Sequence, residues 1–213
     1  MVGTIIPMVH RAKENKISAT PLWSFTLGSV LGGTLLGGVL AGAGMLAVRA
    51  YGNRFSATRT QLLALVIFSA LYGLHELSII HAPVFQFSRQ VPRSWTASMS
   101  AVRCAFAFGF CLGGAIGTRI PMATFYVISL YAFFSGKVAM GMLVMGLFGF
   151  ARALPVILLN YGIAPGWADR KEETPFSAVV WRWATPVHLL NGLGLLFLSG
   201  YLGGGYFFTG SVL

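Results

Sequence analysis

Residues 104–136 read CAFAFGFCLGGAIGTRIPMATFYVISLYAFFSG. As one straight helix, 33 residues would span about 50 Å at ~1.5 Å each, against a bilayer hydrocarbon core of ~30 Å. The stretch also carries Gly113, Gly114, Gly117 and Pro121, and it places Arg119 near its middle. Proline removes a backbone donor and clashes with the preceding turn. Length and breaker residues together predict a broken helix, two halves meeting at GTRIPM, residues 117–122. Non-helical backbone at membrane depth persists only where protein or a wet cavity surrounds it, so the break is expected between other helices.

The same hexapeptide returns near the start. Residues 3–8 read GTIIPM, five letters of six in common at a separation of 114 residues. After GTIIPM come apolar segments at about 22–48 and 61–80; after GTRIPM come the second half of 104–136 and segments at about 138–163 and 185–208. The chain thus reads as two copies of one unit, residues 1–98 and 99–213, each a broken helix followed by two helices. Three crossings per unit put the second copy upside down. Inverted repeats with broken helices at the midplane are how many membrane carriers build a central site. Only Met1 and Val2 precede GTIIPM, so the first copy reads as truncated at its N-terminus, either by loss of that half-helix or because the chain starts further upstream.

Composition agrees with this layout. Of 213 residues 56% are hydrophobic and 9% charged, with a mean hydropathy of +0.75; soluble domains carry about 25% charge. The expectation is an all-α polytopic membrane protein with about five transmembrane helices. The net charge of +10 comes from Lys and Arg between apolar segments, with no basic run interleaved with aromatics. Nucleic acid is therefore not expected as a partner; the lipid bilayer and other membrane subunits are. Arg11, Lys13, Lys16, Arg89, Arg93, Arg170, Lys171 and Arg182 fall on one side, and Arg49, Arg54, Arg59 and Lys137 on the other. The positive-inside rule puts the N-terminus in the cytoplasm and the C-terminus outside. MVGTIIPMVHRAKENK lacks a basic stretch ahead of an apolar one and does not read as a signal peptide.

Small residues punctuate the first segment at Gly28, Gly32, Gly33, Gly37, Gly38 and Gly42, and the broken one at Gly109, Gly113 and Gly117. Small-xxx-small spacing lets helix backbones approach closely, so these positions are read as packing faces. Cys104 and Cys111, seven residues apart on one helix, stand ~10 Å apart along its axis, too far for a disulfide. No zinc or haem-attachment spacing exists, and neither metal nor cofactor is expected.

The stretch HAPVFQFSRQVPRSWTASMSAVRCAFAFGFCLGGAIGTRIPMATFYVISLYAFFSGKVAMGMLVMGLFGFARALPVILL, with SFTLGSVLGG and ALYGLHEL before it, resembles the CcdA/DsbD transmembrane family of cytochrome c biogenesis and thiol–disulfide carriers. The resemblance is clearest over 99–160. It implies two inverted repeats, each opened by a broken helix bearing proline-cysteine-x-x-proline, with paired cysteines that relay electrons from cytoplasmic thioredoxin to an outside acceptor. It also implies a bacterial-type inner membrane. Here the cysteine positions, three residues before Pro7 and Pro121, hold Thr4 and Thr118. A hydroxyl forms no disulfide and gives no thiolate, so relay by the usual pair is excluded at these positions.

The polar residues at the breaks are the candidate central site: Thr4, Pro7, Thr118, Arg119 and Pro121, with Arg152 and Pro155 on the next helix. Buried charge at membrane depth is costly and marks function by default. Arg119 is read as binding an anion, pairing with Glu76, or capping carbonyls freed by the break; Arg152 is read the same way, or as reaching an interface. His75, His81 and His188 were weighed as haem ligands and set aside for poorly aligned faces and an interfacial position. No catalytic constellation is present in the pattern. The expected function is a non-catalytic membrane subunit or assembly factor of a larger redox or cytochrome assembly. The alternatives are a small-solute or ion transporter with its site at the two breaks, and thiol transfer through Cys104 or Cys111.

Overall fold

The structure, a computed structural model, describes residues 20–51, 58–81, 99–116, 122–160 and 176–209. Thr4, Pro7, Gly117, Thr118, Arg119 and Pro121 lie outside the described residues. Everything described is helix, turn or bend. The helices are α1 (Thr20–Tyr51), α2 (Thr58–Glu76), α3 (Ala101–Gly113), α4 (Thr124–Ser135), α5 (Val138–Asn160) and α6 (Phe176–Thr209). The long apolar stretch is therefore two helices, α3 and α4, as its length and glycines predict. Among the described residues two helices are long and apolar enough to cross a membrane, Thr20–Ala50 and Pro186–Gly204.

After both α2 and α3 the left-handed turn residue is not glycine. After α3 the Ala115 amide donates to the Leu112 carbonyl at 3.3 Å and the Ile116 amide to that of Cys111 at 2.9 Å, the paired bonds of a Schellman turn. Ala115 takes φ +54 to make them. After α2 the Ser78 amide donates to His75 at 2.9 Å and the Ile79 amide to Leu74 at 3.0 Å, with Ser78 at φ +60. The turn at Ser78 ends α2 at Glu76, four residues before the hydrophobic segment runs out. After α4 the left-handed residue is glycine, Gly136 at φ +56.

The described helices fall into two compact units that interleave in sequence. Each unit draws on both halves of the chain. The first contains α1 up to Val39, α3 and most of α5. In it α1 packs against both of the others, and glycine makes that approach feasible. A Cβ placed on Gly28 or Gly32 would strike the carbonyl oxygens of Phe106 and Phe110 of α3, and one on Gly109 or Gly113 would strike those of Phe25 and Ser29 of α1. This is small-xxx-small against small-xxx-small, backbone on backbone. On the α5 side, Gly33 and Gly37 meet the backbone of Met145 and Gly141. Ser29, fully buried, donates to the Gly149 carbonyl at 2.7 Å. Phe25, Ala105, Phe108, Leu112 and Ala153 form the core.

Two positions of the glycine face behave otherwise. Gly38 meets only the flexible Met142 side chain, and Gly42 has nothing within 4 Å of where a Cβ would stand. The close approach expected at Gly42 is not made, because the contact surface turns to Gly44, against the Phe133 carbonyl in the second unit.

The second unit holds the end of α1, α2, α4 and α6. Tyr72, Ala123, Val127 and Leu195 form its core. Gly73 and Gly192 let α2 and α6 close on Leu196 and Leu77, and Ser199 donates to the Val66 carbonyl at 3.0 Å. Helix α6 runs through Pro186, which removes the donor for the carbonyl four residues earlier without ending the helix.

The faces of these helices are inverted relative to a water-soluble bundle. Toward its neighbours α1 presents Phe25, Gly28, Ser29, Gly32, Gly33, Gly37 and Ala41; outward it presents Leu27, Leu31, Leu35, Val39 and Leu46. Helix α6 does the same, with Gly192, Leu195 and Ser199 inward and Leu190, Leu193, Phe197 and Tyr201 outward.

Candidate functional site

The polar centre of the second unit is built around Glu76, the last residue of α2. Its side chain is 3% exposed. Oε1 accepts the backbone N–H of Ala123 at 2.5 Å and Nδ2 of Asn191 at 2.9 Å. Oε2 meets Nδ1 of His188. Thr124 in turn donates its hydroxyl to Oδ1 of Asn191. Three helices thus converge on one carboxylate.

Local sequence explains why each group arrives. His188 and Asn191 are three apart on α6, so they share a face. Ala123 is the N-cap of α4, and its own side chain cannot cap. The first turn of α4 contains no acid, so its free N–H groups and positive dipole end are served by the carboxylate of another helix. An ionised carboxylate only accepts, which fixes the His188 tautomer with its proton on Nδ1. The His188 side chain is 41% exposed, and it links a buried charge to the surface of the unit. Beside this centre Tyr72 and Tyr126 stack at 5.2 Å between ring centroids.

At the other end of the break the arrangement is complementary. Helix α3 carries no basic residue in its last turn. Arg152 of α5 donates Nη1 to the Leu112 carbonyl at 2.7 Å, and its guanidinium sits 5.8 Å from the Phe148 ring centre. Of the roles read for Arg152, this is the capping of a carbonyl at the break. Pro155 falls within α5. Cys104, buried, and Cys111, half-buried, are both free thiols on α3.

Glu76 entered the sequence reading only as a partner for Arg119, and His188 only as a haem ligand set aside for its interfacial position. Their convergence was missed. One signal was available: Glu76 is the only acid between Glu14 and Asp169, inside an apolar segment. Among the described residues no cluster of three or more His, Cys, Asp or Glu could hold a metal.

No family model matches the chain, and no solved structure matches it. Two curated proteins do. Methylamine utilization protein MauF of Paracoccus denitrificans is 31% identical over 156 residues, 71% of this chain and 51% of that protein. Methylamine utilization protein MauF of Methylophilus methylotrophus is 31% identical over 85 residues, 40% of this chain and 30% of that protein. The chain spans about half the length, or less, of the curated relatives it matches.

Proposed function

We propose that this chain is a polytopic membrane subunit with no catalytic residue of its own, serving methylamine utilisation as part of a larger redox assembly. In this reading it has the inverted-repeat architecture of the CcdA/DsbD type, with about five crossings, a cytoplasmic N-terminus and an outside C-terminus. The observation that carries the membrane reading is the inverted face pattern of α1 and α6. Glycine and serine turn inward, and leucine, valine and phenylalanine turn outward. In water those outward rows would form an apolar patch that soluble monomers avoid. In lipid they cost nothing, and small residues inward are what helix association there requires.

The accessory role is supported by Thr4 and Thr118, which stand where the resembled carriers hold their redox cysteines. The pathway is supported by the printed name of both relatives. Mild detergent extraction of native membranes, followed by size and mass analysis, tests the whole reading. The expected result is a stoichiometric complex containing proteins of methylamine oxidation. A chain that runs as a monomer with no partner would remove the accessory role.

A second reading, transport of a small solute or ion, is favoured by the buried Glu76 carboxylate and its half-exposed partner His188, since ionisable residues inside membrane bundles commonly line such paths. Uptake into proteoliposomes that is unaffected by changes at Arg119 and Glu76 would remove it.

A further inference from the structure

We propose that the Arg152 guanidinium of the first unit is an anion site, and that its guest is a small monovalent carboxylate held on the Nε–Nη2 edge. The inference concerns that unit alone and stands apart from the Glu76 centre and from both functional readings above. Its starting point is a charge without a countercharge. The described residues of the unit, 20–39, 99–116 and 139–160, hold two cations, Arg103 and Arg152, and no aspartate or glutamate. Arg103 is exposed, so water can hold its charge. Arg152 is half-buried, beside a core of Phe25, Ala105, Phe108, Leu112 and Ala153. A charge withdrawn from water is costly unless it is paired.

The direction of the side chain sharpens the point. Arg152 lies eight residues before the end of α5 at Asn160, ~12 Å along the axis. A long cationic side chain in such a place ordinarily stretches toward the helix end and water. This one turns the other way. Ser29 of α1 marks one level of the unit: it donates to the Gly149 carbonyl of α5, and its own carbonyl faces Gly113 of α3. Gly149 stands three residues before Arg152. To reach Leu112, the neighbour of Gly113, the guanidinium therefore points back along α5, away from the nearer helix end.

What it meets there offsets only part of its charge. Nη1 donates to the Leu112 carbonyl at 2.7 Å, and that end of α3 offers about half a negative charge. The Phe148 ring, 5.8 Å away, adds a cation–π contact. Among the described residues nothing else polar engages it. A guanidinium presents its N–H groups as a rigid planar fork. With Nη1 on Leu112, the Nε–Nη2 edge is left over, and that edge matches a carboxylate through paired, parallel N–H···O bonds. A monovalent guest brings the local charge close to balance. A dianion would leave excess negative charge beside the free carbonyls of α3, in apolar surroundings.

The test is titration of the full chain in mild detergent with formate, exchanged for chloride at constant ionic strength. The readouts are the thermal unfolding midpoint and the line width of carbon-13 formate. Wild type should show a saturable rise of the midpoint, as any ligand of the folded state gives, and broadening of the formate line. Arg152→Met should lose both. Arg152→Lys keeps a cation that can reach Leu112 but has no fork, and it should raise the half-saturating concentration about tenfold or more, the loss of one charged hydrogen bond. It carries the test if Arg152→Met does not fold. Arg103→Gln removes the exposed cation of the same unit and should leave the titration unchanged. A wild-type midpoint that does not saturate, a lysine variant equal to wild type, or an equal loss in Arg103→Gln would overturn the site.

Discussion

Removing the Glu76 side chain should be among the most damaging single changes to this fold, and the loss should depend on what replaces it. In Glu76→Ala the Ala123 amide and the Asn191 amide lose their acceptor inside the bundle. An unsatisfied buried donor costs about 1–3 kcal/mol. His188 loses its partner too, but at 41% exposure it can turn to solvent. The two buried donors put the expected loss at about 2–6 kcal/mol, with nothing added for the solvent-screened His188. Glu76→Gln keeps an oxygen for both Oε1 donors and keeps the shape. It loses the charge and obliges His188 to present the opposite tautomer, for about 1–2 kcal/mol. The assay is equilibrium unfolding of the purified variants in mild detergent, followed by helical circular dichroism. If alanine and glutamine proved equally destabilising, or if alanine stayed within ~0.5 kcal/mol of wild type, the carboxylate would not be the centre that joins α2, α4 and α6.

The glycine faces predict a contrast. Gly32→Ala forces a Cβ against the Phe110 backbone and should cost about 1–3 kcal/mol as an overpacked contact, while Gly42→Ala, in open space, should gain ~0.5–1 kcal/mol from helix propensity; thermal unfolding of the two single variants compares them directly. Arg152→Met keeps the packing of the stem but strips the Leu112 carbonyl of its charged donor, for about 1.5–3 kcal/mol in the same assay. Ser78→Gly relieves an exposed left-handed residue and should stabilise by about 1 kcal/mol, read as a higher unfolding midpoint.

The division of this stretch was legible from a length argument: 33 residues exceed a membrane, and two helices stand there, Ala101–Gly113 and Thr124–Ser135. The α1 face was legible because glycine at four-residue spacing has few other uses. Gly42 was misread because spacing along one helix cannot say how far the neighbouring helices extend. The ends were harder. Ser78 carries no glycine signal, so the turn that stops α2 is invisible in sequence. Helix α6 starts at Phe176 rather than near Thr185 because Arg182 interrupts the apolar run without interrupting the helix. The polar centre was least legible. Glu76 and His188 are 112 residues apart, and only the packing of three helices brings them together.

The C-terminal end of α3 and the N-terminal end of α4 each draw their countercharge from another helix. A helix end carries four free backbone groups and about half a charge. Neither α3 nor α4 supplies a countercharge from its own end turns. In each case another helix does, with the matching sign: the Arg152 cation at the carbonyl end of α3, and the Glu76 carboxylate at the amide end of α4. Exchanging the signs would set like against like at both ends. Glu76 and Arg152 thus each complete a helix end whose own end turn carries no matching charge.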